Sequence, residues 1–255
     1  MATAETLRAL HVPGDPVILP NVWDGTSARV VAEAGFPAIA TSSVAMADSL
    51  GYADGEETPP DEMFAAVGRV ARLVDVPLTA DIERGYRSPP DEIVRRLVAA
   101  GAVGCNLEDS DPATKELIDV DTQAAFLRDV VAAGDGEIVV NARIDVFIRA
   151  TGAESSRLDE AISRARAYLD AGVDCVYPIG LMDAEGIERF VAEVDGPANI
   201  TLRPGAPSLQ ELAKLGVARV SLGGGLHIAM RAWLDGQVAR VAAGSDPSDF
   251  LHLDG

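Results

Sequence analysis

The sequence predicts a single (β/α)₈ barrel that spans residues 1–255, and three observations lead to this fold class. The length of 255 residues is close to the roughly 250 residues that one such barrel needs. Short runs rich in Val and Ile alternate with longer segments of helical period, and no linker or change in composition divides the chain. The first turn reads NVWDGTSA, which lacks the glycine-rich phosphate loop of a doubly wound sheet.

Eight successive βα units account for the predicted elements. The strand candidates are residues 16–23, 38–44, 77–83, 103–109, 137–145, 173–179, 198–203 and 217–223. The helix candidates are residues 26–35, 60–74, 89–100, 121–133, 155–171, 184–194, 208–215 and 226–243. The apolar spacing in FAAVGRVARLV and EIVRRLVAAG is that of helices with one buried face.

The signals at the helix ends agree with this assignment. Pro-Pro-Asp-Glu opens the second and third helices and so places proline and acids in the first turn. Several helices are expected to end at a left-handed glycine before the next strand. These glycines are Gly35, Gly101, Gly172 and Gly216.

The charge of the chain limits its partners. The formal charge is −19 and the pI is near 4.4. Such a field repels nucleic-acid backbones and anionic membranes, so we expect neither as a partner. A small anionic substrate would also be repelled unless a metal ion or an arginine reversed the sign locally. Most of the charges are expected to serve solubility alone.

The sequence also predicts a soluble, cytoplasmic protein. Cys105 and Cys175 are too few for a disulfide framework and lie in apolar runs, as buried core residues do. The segment MATAETLRALHVPGD lacks the basic start and apolar stretch of a signal peptide. No window approaches the roughly 18 apolar residues of a membrane span.

Polar residues interrupt the predicted strand ends, which is where a barrel of this kind carries its chemistry. They occur at residues 21–24, 41–43, 81–83, 108–109 and 141–145. Asp81 and Glu83 are two apart, so on an extended strand they face the same side. Converging with Glu108, they would repel one another unless they were protonated or neutralised. Mg²⁺ suits this arrangement because it takes oxygen ligands and keeps waters that nearby carboxylates hold.

Two other site types find no support in the sequence. The histidines His11, His227 and His252 do not have the spacing of a zinc site. A Ser-His-Asp mechanism has no G-x-S-x-G motif to support it. We therefore interpret His227 as a residue at the start of the last helix.

At these positions the sequence resembles the isocitrate lyase/phosphoenolpyruvate mutase superfamily, over roughly residues 10–235. The motifs that carry the resemblance are DGTSARVVAEAGFPAIATSS, SLGYADGE, TADIERGY, GCNLEDS, VNARIDVF and RAYLDAGVDCVYPIG. Their ordered combination is specific, although each alone is weak. The resemblance implies a modified (β/α)₈ barrel and Mg²⁺-dependent chemistry on 2-oxo acids or their enol forms, with Mn²⁺ as the alternative ion.

The resemblance also implies a metal set, which is carried over residue by residue. Asp81 resembles the direct metal ligand and so also contacts the substrate. Asp54, Glu83 and Glu108 resemble the acids that hold metal-bound water, and Asp54 is counted among the catalytic candidates. Taken singly, each acid could equally be a strand-end salt bridge or a helix cap.

A second group of residues is matched to the substrate. Ser42, with the backbone amides of Ser43 and Val44, matches the segment that receives the substrate carboxylate, and Trp23 joins this substrate-binding set. Arg143 matches the arginine that contacts the substrate and the developing enolate oxygen, where its charge is stabilising. Tyr177 is a candidate to orient substrate or relay a proton. A buried tyrosine whose hydroxyl is bonded within the core is the other interpretation, and the commoner one.

The loop after the fourth strand departs from the family patterns. Isocitrate and methylisocitrate lyases carry a Lys-Lys-Cys-Gly-His-Arg-type loop there, whereas this chain has SDPATKELIDVD, with Lys115 but neither cysteine nor histidine. The mutase asparagine is missing from the same loop, and Pro178-Ile179 lies where the mutase histidine would follow strand six. The remainder is similar to members that decarboxylate oxaloacetate or cleave a carbon–carbon bond in a related oxo acid.

The sequence thus leaves three functions open. The leading hypothesis is a Mg²⁺-dependent lyase or decarboxylase of a small anionic 2-oxo acid. The alternatives are a phosphonopyruvate mutase or hydrolase and a barrel that binds ligands without catalysis. Helix 226–243 carries Met230 and Trp233 on an apolar stripe. That stripe either packs on its own subunit or, as the resemblance implies, exchanges with a neighbour in a homodimer or homotetramer.

Overall fold

The computed structural model describes residues 2–149, 153–246 and 248. Helix α1 (Ala4–Ala9) comes first, and strand β1 (His11–Val12) then forms an antiparallel hairpin with β2 (Asp15–Leu19). Pro20 follows β2 and has no N–H to give to a strand ladder. The strand resumes as β3 (Asn21–Val22), so the predicted strand 16–23 is present in two pieces.

The remaining strands complete a ring of parallel strands. They are β4 (Ile39–Thr41), β5 (Leu78–Asp81), β6 (Gly104–Glu108), β7 (Val139–Ile144), β8 (Cys175–Pro178), β9 (Asn199–Thr201) and β10 (Arg219–Ser221). Strands β3 to β8 pair consecutively. A parallel bridge between Val176 and Ala198 joins β8 to β9, and β10 pairs with both β9 and β2. With β2 and β3 counted as one strand, eight parallel strands close on themselves, as predicted.

Helices surround this ring, and each predicted helix is present. The helices after α1 are α2 (Gly25–Glu33), α3 (Ser43–Leu50), α4 (Pro60–Ala71), α5 (Pro90–Ala100), α6 (Val120–Gly134), α7 (Val146–Arg149), α8 (Glu154–Asp170), α9 (Ala184–Glu193), α10 (Leu209–Lys214) and α11 (Gly225–Ala242). Helices α1, α3 and α7 were not predicted. The predicted strand 38–44 is wrong at its end, because α3 begins at Ser43.

The predicted helix ends are confirmed. Pro60 and Pro90 occupy the first positions of α4 and α5, each followed by Asp and Glu. The four glycines that were expected to end helices have φ angles of 81° to 96° and are Gly35, Gly101, Gly172 and Gly216. Glycine adopts this left-handed conformation at little cost because it has no Cβ.

Helix α1 closes the amino-terminal end of the barrel. Leu7 is fully buried and packs in a small apolar cluster with Val17, Ala40 and Val139, among others. A Cβ on Gly104 would lie 2.8 Å from Leu7 Cδ2 and 3.0 Å from the Val139 carbonyl oxygen. Residue 104 therefore has to be glycine for α1 to dock here. The floor of the barrel is apolar and tightly filled.

The last helix does not pack like the others. Within α11, His227 is the one buried residue, while Ile228 and Trp233 are 67% and 58% exposed. The interpretation that the apolar stripe with Met230 and Trp233 packs in the core of its own subunit is therefore wrong. No helix in the described part of the chain is both long enough and apolar enough to cross a membrane.

Candidate active site at the carboxyl ends of the strands

The strand register brings several predicted residues to one level of the barrel mouth. Glu108 on β6 pairs with Arg143 on β7, and Arg143 pairs with Tyr177 on β8. Asp81 is the last residue of β5, next to β6. Because parallel strands end on the same side of a barrel, these side chains converge there. All four are side chains that sequence reasoning had selected.

Asp81 has one satisfied and one unsatisfied carboxylate oxygen. Its Oδ2 accepts hydrogen bonds from the Ser43 hydroxyl (3.1 Å) and the Ser43 amide (3.3 Å). Its own amide donates to Thr41 Oγ1 at 2.8 Å, which fixes the end of the strand. Oδ1 is buried and has no hydrogen-bond partner. A buried carboxylate oxygen without a donor is costly unless a ligand contacts it.

Glu83 reaches the mouth by a different route from the predicted one. Strand β5 ends at Asp81, and Glu83 has a φ of +54°, so the argument from an extended strand was wrong. The Glu56 amide donates to its Oε2 at 2.6 Å and the Tyr86 hydroxyl to its Oε1 at 3.1 Å. Burial, followed by repulsion from Asp54 and Asp81, raises the pKa of Glu83 to about 7.

Asp54 lies in the loop between α3 and α4. The residue as a whole is exposed, yet its carboxyl group lies against protein and interacts with the Ser43 hydroxyl. Partial burial and repulsion from Asp81 raise the pKa of Asp54, while Arg143 and Lys115 oppose that rise. Asp54, Asp81 and Glu83 are therefore near enough to destabilise one another's charge. We call these three residues the metal-side acids.

Glu108 and Arg143 form a buried ion pair. Arg143 Nη1 lies 2.8 Å from Glu108 Oε2, and its Nε donates to Asp145 Oδ1 at 2.7 Å. Burial raises the pKa of Glu108, Arg143 opposes this, and repulsion from Asp145 adds to it. The sequence argument gave the neutralising role to a dication. For Glu108, Arg143 supplies part of that neutralisation, and a role of Glu108 in holding metal-bound water stays a prediction.

A second acid on the same side is completely bonded. Asp109 Oδ2 accepts from the Tyr168 hydroxyl (2.8 Å) and from Arg164 Nη1 (3.2 Å), and its Oδ1 accepts from the Asp145 amide (2.8 Å). We call this group the arginine-side network; its members are Glu108, Asp109, Arg143, Asp145, Arg164 and Tyr168. Its acids are shared among arginines and hydrogen-bond donors.

The residues matched to a substrate carboxylate lie at the start of α3. Ser42 is its N-cap residue, and Ser42 and Ser43 are buried, whereas Val44 is 43% exposed. The first-turn amides of a helix have no partner within the helix and carry partial positive charge. The Ser43 amide is directed to Asp81. This turn is therefore a suitable place for an anionic group.

Trp23 and Tyr177 lie on either side of the mouth. Trp23 follows β3 and meets the His227 ring edge-on, at 4.9 Å between ring centroids. His227 Nε2 in turn lies 2.7 Å from Asp48 Oδ2. The Tyr177 hydroxyl is hydrogen-bonded to Thr201 and also interacts with Ser221.

Several residues around the site were missed from the sequence. Thr201 and Ser221 end β9 and β10, and the rule that found Asp81 would have found them too. Glu56 and Tyr86, in contrast, contact Glu83 from loops. Both have positive φ angles, of 64° and 56°, which nothing in their residue types announces.

The residues present fit a magnesium ion that keeps most of its water. Among the described residues, no three His, Cys, Asp or Glu side chains converge closely enough to hold a metal ion by themselves. Mg²⁺ usually takes only one or two protein carboxylates directly and binds the rest through water. The unpartnered Oδ1 of Asp81 meets that requirement, with Asp54 and Glu83 close by to hold water.

Fold and site together define an α/β barrel with an acidic candidate active site at its carboxyl end. Residues 7–242 match the model of the phosphoenolpyruvate phosphomutase family, so the chain belongs to that family. It lies within the isocitrate lyase/phosphoenolpyruvate mutase superfamily, as the sequence resemblance indicated.

Known relatives differ in the reactions their names describe. A Burkholderia cenocepacia J2315 structure described as a candidate phosphonomutase is 39% identical, with a TM-score of 0.88 over 94% of this chain and 100% of that chain. A 2,3-dimethylmalate lyase structure is 27% identical, with a TM-score of 0.83 over 95% of this chain and 88% of that one. Oxaloacetate decarboxylase 2 of Pseudomonas fluorescens is 29% identical over 79% of this chain and 70% of its own.

Proposed function

We propose that this chain is a Mg²⁺-dependent carbon–carbon lyase or decarboxylase of a small 2-oxo acid of the oxaloacetate type. The observation that carries the proposal is the buried, unpartnered Oδ1 of Asp81. It lies among the mutually repelling carboxylates of Asp54 and Glu83, and Arg143 is close enough to act on the same charges. The names of the decarboxylase and lyase relatives support this class of reaction.

The metal-side acids would hold the ion in unequal ways. Asp81 would bind it directly, and Asp54 and Glu83 would hold water molecules bound to it, with Mn²⁺ as the alternative ion. Glu108, through its pairing with Arg143, would contribute mainly by fixing that arginine. When bound, Mg²⁺ supplies a Lewis acid to the 2-oxo and carboxylate oxygens of the substrate.

The remaining residues would bind and orient the substrate. Ser42 and the first-turn amides of Ser43 and Val44 would receive its C1 carboxylate. Arg143 is clamped between Glu108 and Asp145 and retains N–H groups on both Nη atoms for the 2-oxo oxygen. Trp23 would form an apolar wall beside these groups.

The reaction we propose for oxaloacetate proceeds through an enolpyruvate-like intermediate. The C3–C4 bond breaks, CO₂ leaves, and the electron pair passes into C3 and the 2-oxo oxygen. Arg143 stabilises the negative charge that develops on this oxygen. A proton from solvent then adds to C3 to give pyruvate. Burial raises the pKa of Tyr177, so its hydroxyl stays protonated, and we propose that it relays this proton, taking one from solvent as it gives one to C3.

A direct assay tests the proposal. Purified protein is mixed with Mg²⁺ and oxaloacetate, and pyruvate release is followed with and without EDTA. We expect Mg²⁺-dependent release that the Asp81→Ala variant loses. Release that neither EDTA nor this substitution reduces would contradict the mechanism.

A second candidate is a phosphonopyruvate mutase or hydrolase. The similarity to the Burkholderia structure described as a candidate phosphonomutase favours it. Phosphorus NMR of phosphonopyruvate incubated with the protein distinguishes it. A new phosphate-ester or inorganic phosphate signal would support this candidate, and an unchanged phosphonate signal would exclude it.

We also propose a homodimer or homotetramer in which α11 packs on a neighbouring subunit. The support is the exposed apolar surface of α11, in which Trp233 and Val238 are each 58% exposed, because such surfaces mark interfaces. Light scattering of the wild type and of a Trp233→Asp/Val238→Asp variant tests it, with a fall to monomer mass expected in the variant. The buried, unpaired Cys105 and Cys175 are in keeping with the reducing cytoplasm, where we propose the protein works.

A further inference from the structure

The middle of the barrel contains a buried arginine that the proposed reaction does not use. Arg219 on β10 is fully buried, and its Nη2 donates to Asn106 Oδ1 on β6 at 3.1 Å. Strands β6 and β10 lie on opposite sides of the ring, so this guanidinium reaches across the interior. It lies above the apolar floor closed by Leu7 and below the mouth.

The charge of Arg219 has no carboxylate partner. Among the described residues, no Asp or Glu lies within ion-pair distance of it, and its Nε and Nη1 have no hydrogen-bond acceptor. A buried guanidinium in this state costs several kcal/mol. Barrel interiors are usually filled with Val, Ile and Leu, so packing alone does not explain an arginine here.

Other polar groups around Arg219 are also unsatisfied. Asn199 pairs in register with Arg219 and has both side-chain polar atoms free, and Asn141, which donates to Asn106, has its Oδ1 free. His11 has its Nδ1 at 2.8 Å from the Leu7 carbonyl oxygen, which leaves Nε2 as an unpartnered acceptor. Free donors on Arg219 thus face a set of free acceptors, a combination that buried water satisfies.

We infer that Arg219 is a positioning residue which, held in the barrel interior beneath the mouth, supplies positive potential to the bound anionic substrate. The inference rests on the proposed function. Arg219 lies two residues before Ser221, about 7 Å along the strand, and Ser221 interacts with the Tyr177 hydroxyl. The charge of Asp81 acts on Arg219, so the charge of Arg219 acts on the site where Asp81 and the substrate meet.

If Arg219 has this role, removing its charge should have opposite effects on the binding of Mg²⁺ and of an anion such as oxalate. At about 7–10 Å and an effective dielectric constant of about 20, a unit charge changes the binding of a singly charged ligand by roughly fifteen- to fiftyfold. Removing the charge with Arg219→Met, which has a similar length, should therefore tighten Mg²⁺ binding. It should also weaken the binding of the dianion oxalate to the Mg²⁺-loaded protein. General damage to the fold would weaken both.

Titration calorimetry with Mg²⁺ alone, and then with oxalate in saturating Mg²⁺, tests the inference. We expect Mg²⁺ to bind Arg219→Met at least about fifteenfold more tightly and oxalate at least about fifteenfold more weakly, which is the lower end of the same Coulomb estimate for a single ligand charge. Arg219→Lys, which keeps the charge, should restore both affinities to within about threefold. Cys175→Ala removes a neutral, buried side chain on β8 and should leave both unchanged. If Arg219→Met does not fold, Arg219→Gln serves with the same expected signs.

Two results would overturn the inference. One is a parallel weakening of Mg²⁺ and oxalate binding, and the other is a change below about threefold in both, smaller than the Coulomb estimate allows. The proposed function fails separately, if the wild type binds Mg²⁺ and oxalate but releases no pyruvate from oxaloacetate. In that case the two affinity changes still decide whether Arg219 sets the potential of the site.

Discussion

The two acidic groups at the mouth of the barrel differ in how completely they are bonded. In the arginine-side network, Asp109 accepts from Tyr168, Arg164 and a backbone amide, and both of its oxygens are used. On the metal side, Asp81 has an oxygen that is equally buried but has no partner. The two acids lie at the ends of adjacent strands, but Asp109 bonds to Arg164 and Tyr168 of α8, whereas Asp81 bonds to the first turn of α3.

The comparison shows how a structural acid can be told from one that binds a ligand. A buried carboxylate whose oxygens are all bonded holds elements together, and its neighbours are left unsatisfied when it is removed. A buried carboxylate with a free oxygen lowers the stability of the protein by itself when other acids lie close to it. Such a group is retained because a ligand stabilises it.

Removal of the charge on Asp81 should give the largest effect, and the effect should be on function. Asp81→Asn keeps the size of the side chain and can still accept from Ser43, so we expect the free energy of unfolding without metal to stay constant or rise. Activity should fall by at least about 10²- to 10³-fold, because the Lewis acid is worth several kcal/mol. Steady-state kinetics and denaturant unfolding measure the two quantities. A variant that loses stability instead would show that Asp81 belongs with the structural acids.

For Asp109 we expect the reverse, a large loss of stability with a small change in Mg²⁺ binding. Asp109→Ala leaves Arg164, the Tyr168 hydroxyl and the Asp145 amide without their buried acceptor, which should cost about 3–5 kcal/mol in the free energy of unfolding. Mg²⁺ affinity, measured by calorimetry below the unfolding transition, should change much less than it does in Asp81→Asn. Loss of Mg²⁺ binding together with an unchanged stability would reverse the two assignments.

The strand-end rule predicted part of this site, and physical reasons limit the rest. Asp81, Glu108 and Arg143 could be found because a parallel barrel brings its strand ends together whatever its loops do. The partners of Asp109 could not, because Arg164 lies 55 residues further along the chain. Glu83 was selected for the wrong reason, since its left-handed backbone is fixed by contacts with Glu56 and Tyr86 that only the folded chain makes.

The same limit applies to the fold. The eight βα units were predicted because each buries a face whose period is visible in the sequence. Helix α3 was missed because only Ser42 separates it from β4, so no turn residues in the sequence mark the change from strand to helix. Helix α1 has only six residues, fewer than two helical turns, which is too short for a period to appear.

The stability of the metal-free protein should fall with rising pH because of Glu83. Its pKa in the folded protein, about 7, lies above the ordinary glutamate value of 4.5, so between these two pH values the folded state binds a proton that the unfolded state has lost. The free energy of unfolding therefore falls as pH rises from about 4.5 to about 7, by up to about 3 kcal/mol for this group. Thermal unfolding across this range should show the fall, and Glu83→Gln should reduce it.

Magnesium should distinguish the contribution of Glu83 to this pH dependence from that of Asp109. The pKa of Asp109 is also raised, to about 6, mainly by burial and by repulsion from Asp145. Both acids therefore contribute to the fall in stability. Saturating Mg²⁺ should cancel the Glu83 share and leave the Asp109 share, because only the metal-side acids would face the ion. Equal recovery in the wild type and in Glu83→Gln would contradict this.

The smallest effect is expected for Lys115, which lies between the metal-side acids and the arginine-side network. Lys115 lies in the loop between β6 and α6. Its ammonium group is close to Asp54, and a Cβ on Gly55 would collide with its Nζ atom. Gly55 also has a φ of +107°, which an alanine adopts only with strain. Gly55→Ala should cost about 1–2 kcal/mol in the free energy of unfolding and should displace the ammonium group.

The displaced lysine should change substrate binding more than the chemical step. Lys115 opposes the rise in the pKa of Asp54, and its positive charge at the mouth would attract an anionic oxo acid. We therefore expect KM to rise severalfold in Gly55→Ala while kcat changes less. Lys115→Met removes the charge without backbone strain and should reproduce the KM effect at little cost in stability. If KM rises in Gly55→Ala alone, the backbone of the Asp54 loop, rather than the lysine, links the two acidic groups.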